Sequence, residues 1–159
     1  MICFRLAANQ YINDKTGTGA RLFGGRWNPQ GLSCIYTSEH ISLALLEKYV
    51  HAQSKENMER ISLLKIEIPE DKGLIFQVDE KKLKSNWAND ISYSQWIGEQ
   101  LLKDLSVVAF SVPSAIIPME KNIILNPLAT KFDLVKFLPV VDFATDFRLL
   151  SRLMAGGAV

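Results

Sequence analysis

The chain has 159 residues, 48% of them hydrophobic and 22% charged, with a net charge of +1. This composition is ordinary for a globular protein, and the length predicts a single domain, which we place at residues 1–154. The last residues, 155–159, are small and uncapped, so we expect a disordered tail there. The near-neutral charge provides no general attraction to nucleic acid or to anionic membranes, so direct binding to either is not expected.

The sequence also disfavours a membrane-spanning protein and a protein stabilised by disulfides or zinc. No apolar run approaches the roughly 20 residues that a membrane-spanning helix needs. The two cysteines, Cys3 and Cys34, neither form a disulfide framework nor have the spacing of a zinc site. We therefore expect a reduced, cytoplasmic protein.

Short strands and a few helices follow one another along the chain without strict alternation, which predicts an α+β fold with a mainly antiparallel sheet. Residues 107–112 are almost wholly apolar and should form a central strand. Residues 134–141 include Pro139, which favours an edge position. A capping box at residues 92–95 is expected to open a helix that continues through Leu102. About seven strands are predicted, at residues 2–6, 32–36, 61–68, 74–78, 107–112, 122–126 and 134–141.

The best-defined helix follows the second of these strands and runs to about His51, with Thr37 or Ser38 as its cap. Glu47 falls at the border of its apolar face, where a carboxylate can be partly desolvated and still reach a pocket. The plain alternative is a solvated Glu47 that pairs with His51 one turn later. The apolar face is predicted from helical spacing to comprise Ile41, Leu45, Leu46, Tyr49 and Val50.

Ahead of the second strand, residues 17–31 contain five glycines around Arg26, Trp27 and Asn28. Glycines let backbone amides approach a ligand closely, and an arginine among them offers a planar fork for phosphate or carboxylate. The stretch is neither a P-loop nor a GxGxxG motif. The alternative is a surface hairpin with an unrelated arginine.

Other chemistry is weakly supported. His40, Glu47 and His51 lack the compact spacing of zinc ligands, so no metal site is predicted. Cys34 lies in a predicted strand and is expected to be a core residue, and Ser114 lacks the GxSxG context of an esterase.

Arg26, Tyr36, Glu47 and Ser114 are the remaining candidates. An arginine for pyrophosphate, an aromatic ring for a flat base and a carboxylate for ribose hydroxyls would suit a dinucleotide that is cleaved at its glycosidic bond. Such a reaction passes through an oxocarbenium-like transition state, which a nearby carboxylate stabilises.

At these residues the sequence resembles the RES-domain family, named for an arginine, a glutamate and a serine. The resemblance runs in the family's order from about Phe4 to Leu150, and Gln95, Gly98, Glu120 and Asn122 also belong to it. Its main motifs are TGTGA at 16–20, GGRWN at 24–28, IYTS at 35–38, LALLE at 43–47, VPSA at 112–115 and LNP at 125–127.

The resemblance implies a toxin of a bacterial toxin–antitoxin pair with an ADP-ribosyltransferase-like sheet core flanked by helices. Members degrade NAD⁺ by hydrolysis or phosphorolysis, or transfer ADP-ribose to a protein. NAD⁺ would be the substrate, with phosphate as an optional co-substrate and no other cofactor. The implied partner is an Xre-like helix-turn-helix antitoxin, through whose complex the toxin could form a homo-oligomer.

By motif, the family's catalytic residues fall on Arg26, Glu47 and Ser114, with Ser111 as the alternative serine. The NAD⁺-binding set implied by the resemblance is Arg26, Tyr36, Gly25 and Asn28. Ala129 stands where the family usually has a histidine. Besides the NAD⁺-degrading enzyme, a protein ADP-ribosyltransferase and a catalytically weak antitoxin-binding relative remain as alternatives.

Overall fold

The computed structural model describes residues 1–52, 60–71, 73–144, 148, 151 and 155. Apart from Ala155, the tail predicted to be disordered lies outside these residues. The strands are β1 (Ile2–Ala8), β2 (Ile35–Ser38), β3 (Ile61–Glu67), β4 (Ile75–Gln77), β5 (Ala109–Pro113), β6 (Lys121–Leu125), β7 (Lys136–Phe137) and β8 (Val141–Phe143). The helices are α1 (Thr18–Phe23), α2 (Ile41–His51) and α3 (Ile91–Lys103), with 3-10 turns at Glu80–Lys82, Trp87–Asn89 and Phe132–Leu134.

All eight strands belong to one sheet. Their order is β4-β5-β6-β2-β1-β3-β7, and β8 pairs with β3 beside β7. Every pairing is antiparallel except the parallel pair β4–β5. The predicted α+β class with a mainly antiparallel sheet is therefore confirmed. The predicted strand at 134–141 is divided into β7 and β8, and Pro139 lies between them because proline has no N–H to donate to a ladder.

The sheet is buried on both faces near its middle. Consecutive residues of a strand point to opposite faces, so Ile123 joins a core cluster with Cys3 and Leu64 while Ile124 joins another with Trp27. All five residues of β5 are buried, as its apolar sequence predicts, but β5 lies next to the edge strand β4 and not at the centre of the sheet. Helix α2 covers a third, smaller cluster on β1 and β3.

The pairing of β1 with β2 is the weak point of the sheet. The two strands meet at a single register pair, Phe4 opposite Ser38, whereas β1 pairs with β3 along its whole length. Away from this pair the two strands diverge and leave a gap. The candidate site lies in this gap.

Both predicted helix caps are wrong. Thr37 and Ser38 belong to β2, where their hydroxyls donate to the Ile123 carbonyl at 2.6 Å and to Asn122 Oδ1 at 2.7 Å. Helix α2 begins at Ile41 without any side-chain cap. Helix α3 is capped by Asp90, whose carboxylate accepts from an amide three residues later. Thr37 and Ser38 are cap-forming residue types, but their hydroxyls have partners on the neighbouring strand.

The predicted apolar face of α2 is correct in part: Ile41, Leu45 and Tyr49 pack against core clusters as expected. The structure buries Leu43 and Ala44, whereas Val50 is 64% exposed. Residues three and four positions apart lie on the same side of a helix, so Glu47 shares the inward side with Leu43 and Ala44. The carboxylate therefore faces the protein interior.

Candidate active site

The gap between β1 and β2 opens into a cavity of about 530 Å³. It is lined mainly by β1, the segment from α1 to β2, β2 itself and the inward side of α2, and Asp14, Ala115 and Asn122 complete the wall. The volume falls within the range that is typical of small-molecule sites in proteins. Of the residues predicted to act in catalysis or binding, Gly25, Arg26, Tyr36 and Glu47 line this cavity.

Gly25 allows the loop to pass directly against Tyr36. A Cβ at this position would lie 2.5 Å from the Tyr36 hydroxyl and 2.9 Å from Asn28 Oδ1. Both neighbours are tied down by hydrogen bonds, so neither can yield. A glycine is thus required here for close approach, and the neighbouring Arg26 is placed at the cavity wall.

The Tyr36 hydroxyl is fully engaged in holding the loop. It donates to Asn28 Oδ1 at 2.7 Å and accepts from the Trp27 amide at 3.0 Å. Burial raises the pKa of Tyr36 well above its ordinary value, so the phenol remains neutral. Its ring, which lines the cavity, is therefore the part that can meet a ligand.

Asn28 was predicted to bind the dinucleotide, but the structure places it behind the cavity wall. Its side chain is completely buried and is not among the lining residues. The amide group donates to the carbonyls of Ala20 at 2.8 Å and Leu32 at 3.0 Å, while its oxygen accepts from Tyr36. Asn28 thus connects α1, the glycine-rich loop and β2.

Arg26 is held from outside the loop by the 3-10 turn Trp87–Asn89. Its Nη1 donates to the Ala88 carbonyl at 2.6 Å, and the guanidinium lies 5.9 Å from the centre of the Trp87 ring. A guanidinium has five N–H donors, and the hydrogen bond to Ala88 uses one of them.

Helix α3, which directly follows this turn, also holds the loop. Gln95 Nε2 donates to the Gly25 carbonyl at 2.9 Å, and a Cβ on Gly98 would overlap the Trp27 carbonyl. Gln95 and Gly98 belong to the family resemblance, but sequence reasoning gave them no role. The structure shows that they fix the backbone on either side of Arg26.

Glu47 is fixed by three neighbours. Its Oε1 accepts from Ser114 Oγ at 2.9 Å and from Asn122 Nδ2 at 2.6 Å, and Oε2 lies 3.7 Å from His51 Nε2. Burial raises the pKa of Glu47, but the nearby His51 imidazole and the hydrogen bonds from Asn122 and Ser114 outweigh it, so the net pKa lies below its ordinary value. The carboxylate is thus ionised and held in one orientation. The plain alternative is correct about the contact with His51 but wrong about solvation, because the Glu47 side chain is only 22% exposed.

Ser114 contacts Glu47 without lining the cavity. It is completely buried, does not line the cavity, and accepts from the amides of Ile116 at 3.0 Å and Ile117 at 3.2 Å while donating to Glu47. Ser111, the alternative, lies within β5 opposite Ile123. Among the described residues, Ser114 is the serine that contacts the glutamate, and its place is that of a positioning residue.

Several residues that line the cavity had no role predicted from the sequence. Arg5 on β1 lines the cavity and donates to the carbonyls of Asp14 at 2.7 Å and Tyr11 at 3.2 Å. Asn122 and Lys48 also line it. A polar residue in an otherwise apolar strand was the available signal for Arg5 and Asn122, whereas Lys48 resembled any solvated helix lysine.

The remaining nucleophile candidate is inert. Burial raises the pKa of the Cys34 thiol to about 12, so it is protonated at neutral pH. This agrees with the core position that was expected for it. Within the part of the chain that the structure describes, no three potential metal-binding side chains come together, and no helix there is long and apolar enough to cross a membrane.

Comparison with known proteins defines the class to which this fold and site belong. The model of the RES domain matches residues 2–146. The chain belongs to the RES-domain family. It is 37% identical to Toxin Res of Photorhabdus laumondii, over 94% of this chain and 97% of that toxin. It is 30% identical to the Prs ADP-ribosylating toxin of a Sphingobium species, over 88% and 89% of the two chains.

A solved structure shares the fold. The crystal structure of the M. tuberculosis MbcT–MbcA toxin–antitoxin complex contains a chain that superposes with a TM-score of 0.74 at 22% sequence identity. The match covers 97% of this chain and 88% of that one. Such agreement at low identity establishes a common architecture.

Proposed function

We propose that this RES-domain protein is the toxin of a toxin–antitoxin pair and that it consumes NAD⁺ by cleaving the bond between nicotinamide and ribose. One observation carries the proposal: Arg26, the Tyr36 ring and an ionised Glu47 line the same cavity. The toxin names of its relatives support the biological role, and one of them is named as an ADP-ribosylating toxin.

The nicotinamide leaving group needs little assistance from the protein. The ring nitrogen of nicotinamide is cationic in NAD⁺ and becomes neutral when the bond breaks, so no general acid is needed. The developing charge is on the ribose, which becomes oxocarbenium-like. A carboxylate that is already oriented and ionised stabilises this cation without reorganising during the reaction. Glu47 has both properties.

The other lining groups suit the rest of the dinucleotide. The free N–H donors of Arg26 can bind the pyrophosphate, since a guanidinium matches phosphate oxygens in pairs. The Tyr36 ring offers a stacking surface for nicotinamide, because its hydroxyl is committed to the loop. Ser114 and Asn122 orient Glu47.

Three acceptors are compatible with this site: water, inorganic phosphate or a protein side chain. We favour a small-molecule acceptor, which gives a hydrolase or a phosphorylase. The name of the Sphingobium relative supports the second candidate, a protein ADP-ribosyltransferase. The third candidate is a catalytically weak relative that binds its antitoxin.

Incubation of the purified protein with NAD⁺ tests the proposal, with chromatography of the products in the presence and absence of phosphate. Free nicotinamide is expected in every active case, accompanied by ADP-ribose from water or by its 1″-phosphate from phosphate. Labelled NAD⁺ with cell lysate reveals a protein acceptor. NAD⁺ that stays intact under all these conditions leaves the antitoxin-binding relative as the better interpretation.

Variants at Arg26 and Glu47 link the reaction to the cavity. Glu47→Gln keeps an oxygen that can accept from Ser114 and Asn122 but removes the charge, so turnover should fall on the order of 10²–10³-fold with folding retained. Arg26→Ala should likewise abolish most growth arrest on expression. Glu70→Gln, at a surface position outside the cavity, is the matched control. Full toxicity in either cavity variant contradicts the site.

The partner is proposed to be an Xre-like antitoxin that inserts a segment at or near Arg26. A toxin that destroys a central metabolite needs such an inhibitor until it is released. Coexpression with the product of the adjacent gene should give a complex that stays together on gel filtration at micromolar concentration. Separation into two peaks contradicts this part of the proposal.

A further inference from the structure

Helix α1 is held in place mainly through its backbone. None of its six residues is buried, and Ala20 alone among them packs against a core cluster of the described residues. The Ala20 carbonyl accepts from Asn28 Nδ2 at 2.8 Å, and the same distance joins the Gly31 amide to the Arg21 carbonyl. The side chains of α1 therefore contribute little to the packing of the protein and are available for another role.

One side of this helix lines the cavity. Gly19, Ala20 and Phe23 belong to the cavity wall, and Phe23 shares a side with the other two because it follows them at helical spacings of four and three residues. A Cβ on Gly19 would meet no described atom within 4 Å. The wall beside the Phe23 ring is thus formed by two small residues and leaves open space.

The Phe23 ring differs from the other aromatic rings that line the cavity. Phe4, Trp27 and Tyr36 pack against core clusters, whereas Phe23 belongs to none of the clusters found among the described residues and is 81% exposed. Single exposed apolar residues are common on proteins, but a residue that lines a cavity and is still mostly exposed lies at its mouth. A flat ligand can stack on Phe23 there without disturbing the core.

The spacing of Phe23 and Arg26 indicates which part of a dinucleotide the ring can meet. The two residues are three positions apart, so their Cα atoms are separated by at most about 11 Å. One nucleoside bridges such a gap, because its base and its phosphate lie at opposite ends of the ribose. Arg26 is proposed to bind the pyrophosphate, and Tyr36 and Glu47 the nicotinamide end. The adenosine end is then the part that extends to the mouth.

We propose that Phe23, together with the open wall at Gly19 and Ala20, forms a purine subsite at the mouth of the cavity, where the adenine ring stacks on the phenylalanine. Bases stack on exposed aromatic side chains because both present a flat, apolar face. The subsite deepens the proposed function and rests on it for the reaction, but binding of an adenine nucleotide does not depend on turnover. Phe23 contacts the substrate far from the scissile bond, so it contributes to affinity and to the preference for a dinucleotide.

Binding of ADP in the absence of NAD⁺, measured by calorimetry, is the first arm of the test. Phe23→Ala should weaken it about tenfold, a factor within the range expected for the loss of one stacked base. Phe23→Tyr keeps the ring and should keep the affinity. Leu22→Ala is the matched control, because Leu22 is also exposed on α1 but does not line the cavity. Absence of ADP binding, or equal affinity in wild type and Phe23→Ala, overturns the subsite.

Steady-state kinetics with two substrates form the second arm. Nicotinamide mononucleotide has the same scissile bond as NAD⁺ but lacks the adenylate. Phe23→Ala should raise KM for NAD⁺ about tenfold and change kcat by less than about twofold, since the adenine contact is remote from the bond that breaks. KM for the mononucleotide, or its inhibition constant if it is not cleaved, should be the same in both proteins. An equal rise for both substrates contradicts the adenine contact and indicates a general distortion of the loop.

The subsite and the proposed reaction fail in different ways. ADP binding that depends on Phe23, in a protein that leaves NAD⁺ intact, supports the subsite and contradicts the reaction. NAD⁺ cleavage by a Phe23→Ala variant with unchanged ADP affinity and unchanged KM overturns the subsite and leaves the reaction standing. If that variant also no longer forms the complex with the antitoxin, the exposed ring belongs to a protein interface.

Discussion

Ser114→Ala is the most informative single change in this site. The hydroxyl is completely buried and donates to Glu47 Oε1 at 2.9 Å, while two backbone amides donate to it. Its removal deletes one hydrogen bond to a charged group and leaves those amides without this acceptor. Hydrogen bonds to charged groups contribute roughly 1.5–3 kcal/mol. The variant should therefore lose about 2 kcal/mol in its free energy of unfolding.

The loss of unfolding free energy in Ser114→Ala should depend on pH. The folded-state pKa of Glu47 is below its ordinary value of 4.5, so its ionisation stabilises the fold above that pH. This contribution disappears as the pH falls through the folded-state pKa. Because Ser114 is one of the groups that lower the pKa, the stability difference between wild type and variant should be largest above pH 4.5 and shrink in acid.

Denaturant unfolding at several pH values and a pH–rate profile with NAD⁺ measure the two effects. The acid limb of the profile should move to higher pH in Ser114→Ala, because the carboxylate is easier to protonate. Ser111→Ala is the matched control, a serine of the preceding strand. An unshifted acid limb in Ser114→Ala, or a larger shift in Ser111→Ala, would refute this account of the serine.

Two other changes test how the loop is held. Tyr36→Phe keeps the ring but leaves Asn28 and the Trp27 amide without their partner. We therefore expect a loss of about 1–3 kcal/mol in the free energy of unfolding, together with reduced turnover. A variant of wild-type stability and rate would show that the hydroxyl is dispensable. Gly98→Ala places a methyl group against the Trp27 carbonyl, so it should lower Tm by several degrees and reduce NAD⁺ binding. Gly73→Ala is the control: its position has open space, so this variant tests only the strain of positive φ. Equal effects of the two alanines would contradict a packing role for Gly98.

The sequence by itself determined the parts that depend on neighbouring residues and on motif. Alternating and apolar runs located the strands, the almost wholly apolar run at 107–112 indicated the buried β5, and Pro139 marked the edge of the sheet. The glycine-rich loop, Arg26, Tyr36 and Glu47 were found as motif positions. These signals are local because strand alternation and glycine-dependent close approach are set by a few adjacent residues.

Only the tertiary structure decided how these pieces meet. The predicted cap of α2 was wrong because Thr37 and Ser38 donate to acceptors on β6, more than eighty positions away in the chain. The burial of Asn28 depends equally on folded partners.

The ionised state of Glu47 depends on Ser114 and Asn122, which lie 67 and 75 residues beyond it in the sequence. The cavity itself exists because β1 and β2 share one register pair and then separate. Helical spacing gives the period of α2 but not which side meets the sheet, and that choice turned Glu47 and Lys48 towards the same cavity. Burial, pKa and pairing are set by contacts between distant segments, which the chain acquires only on folding.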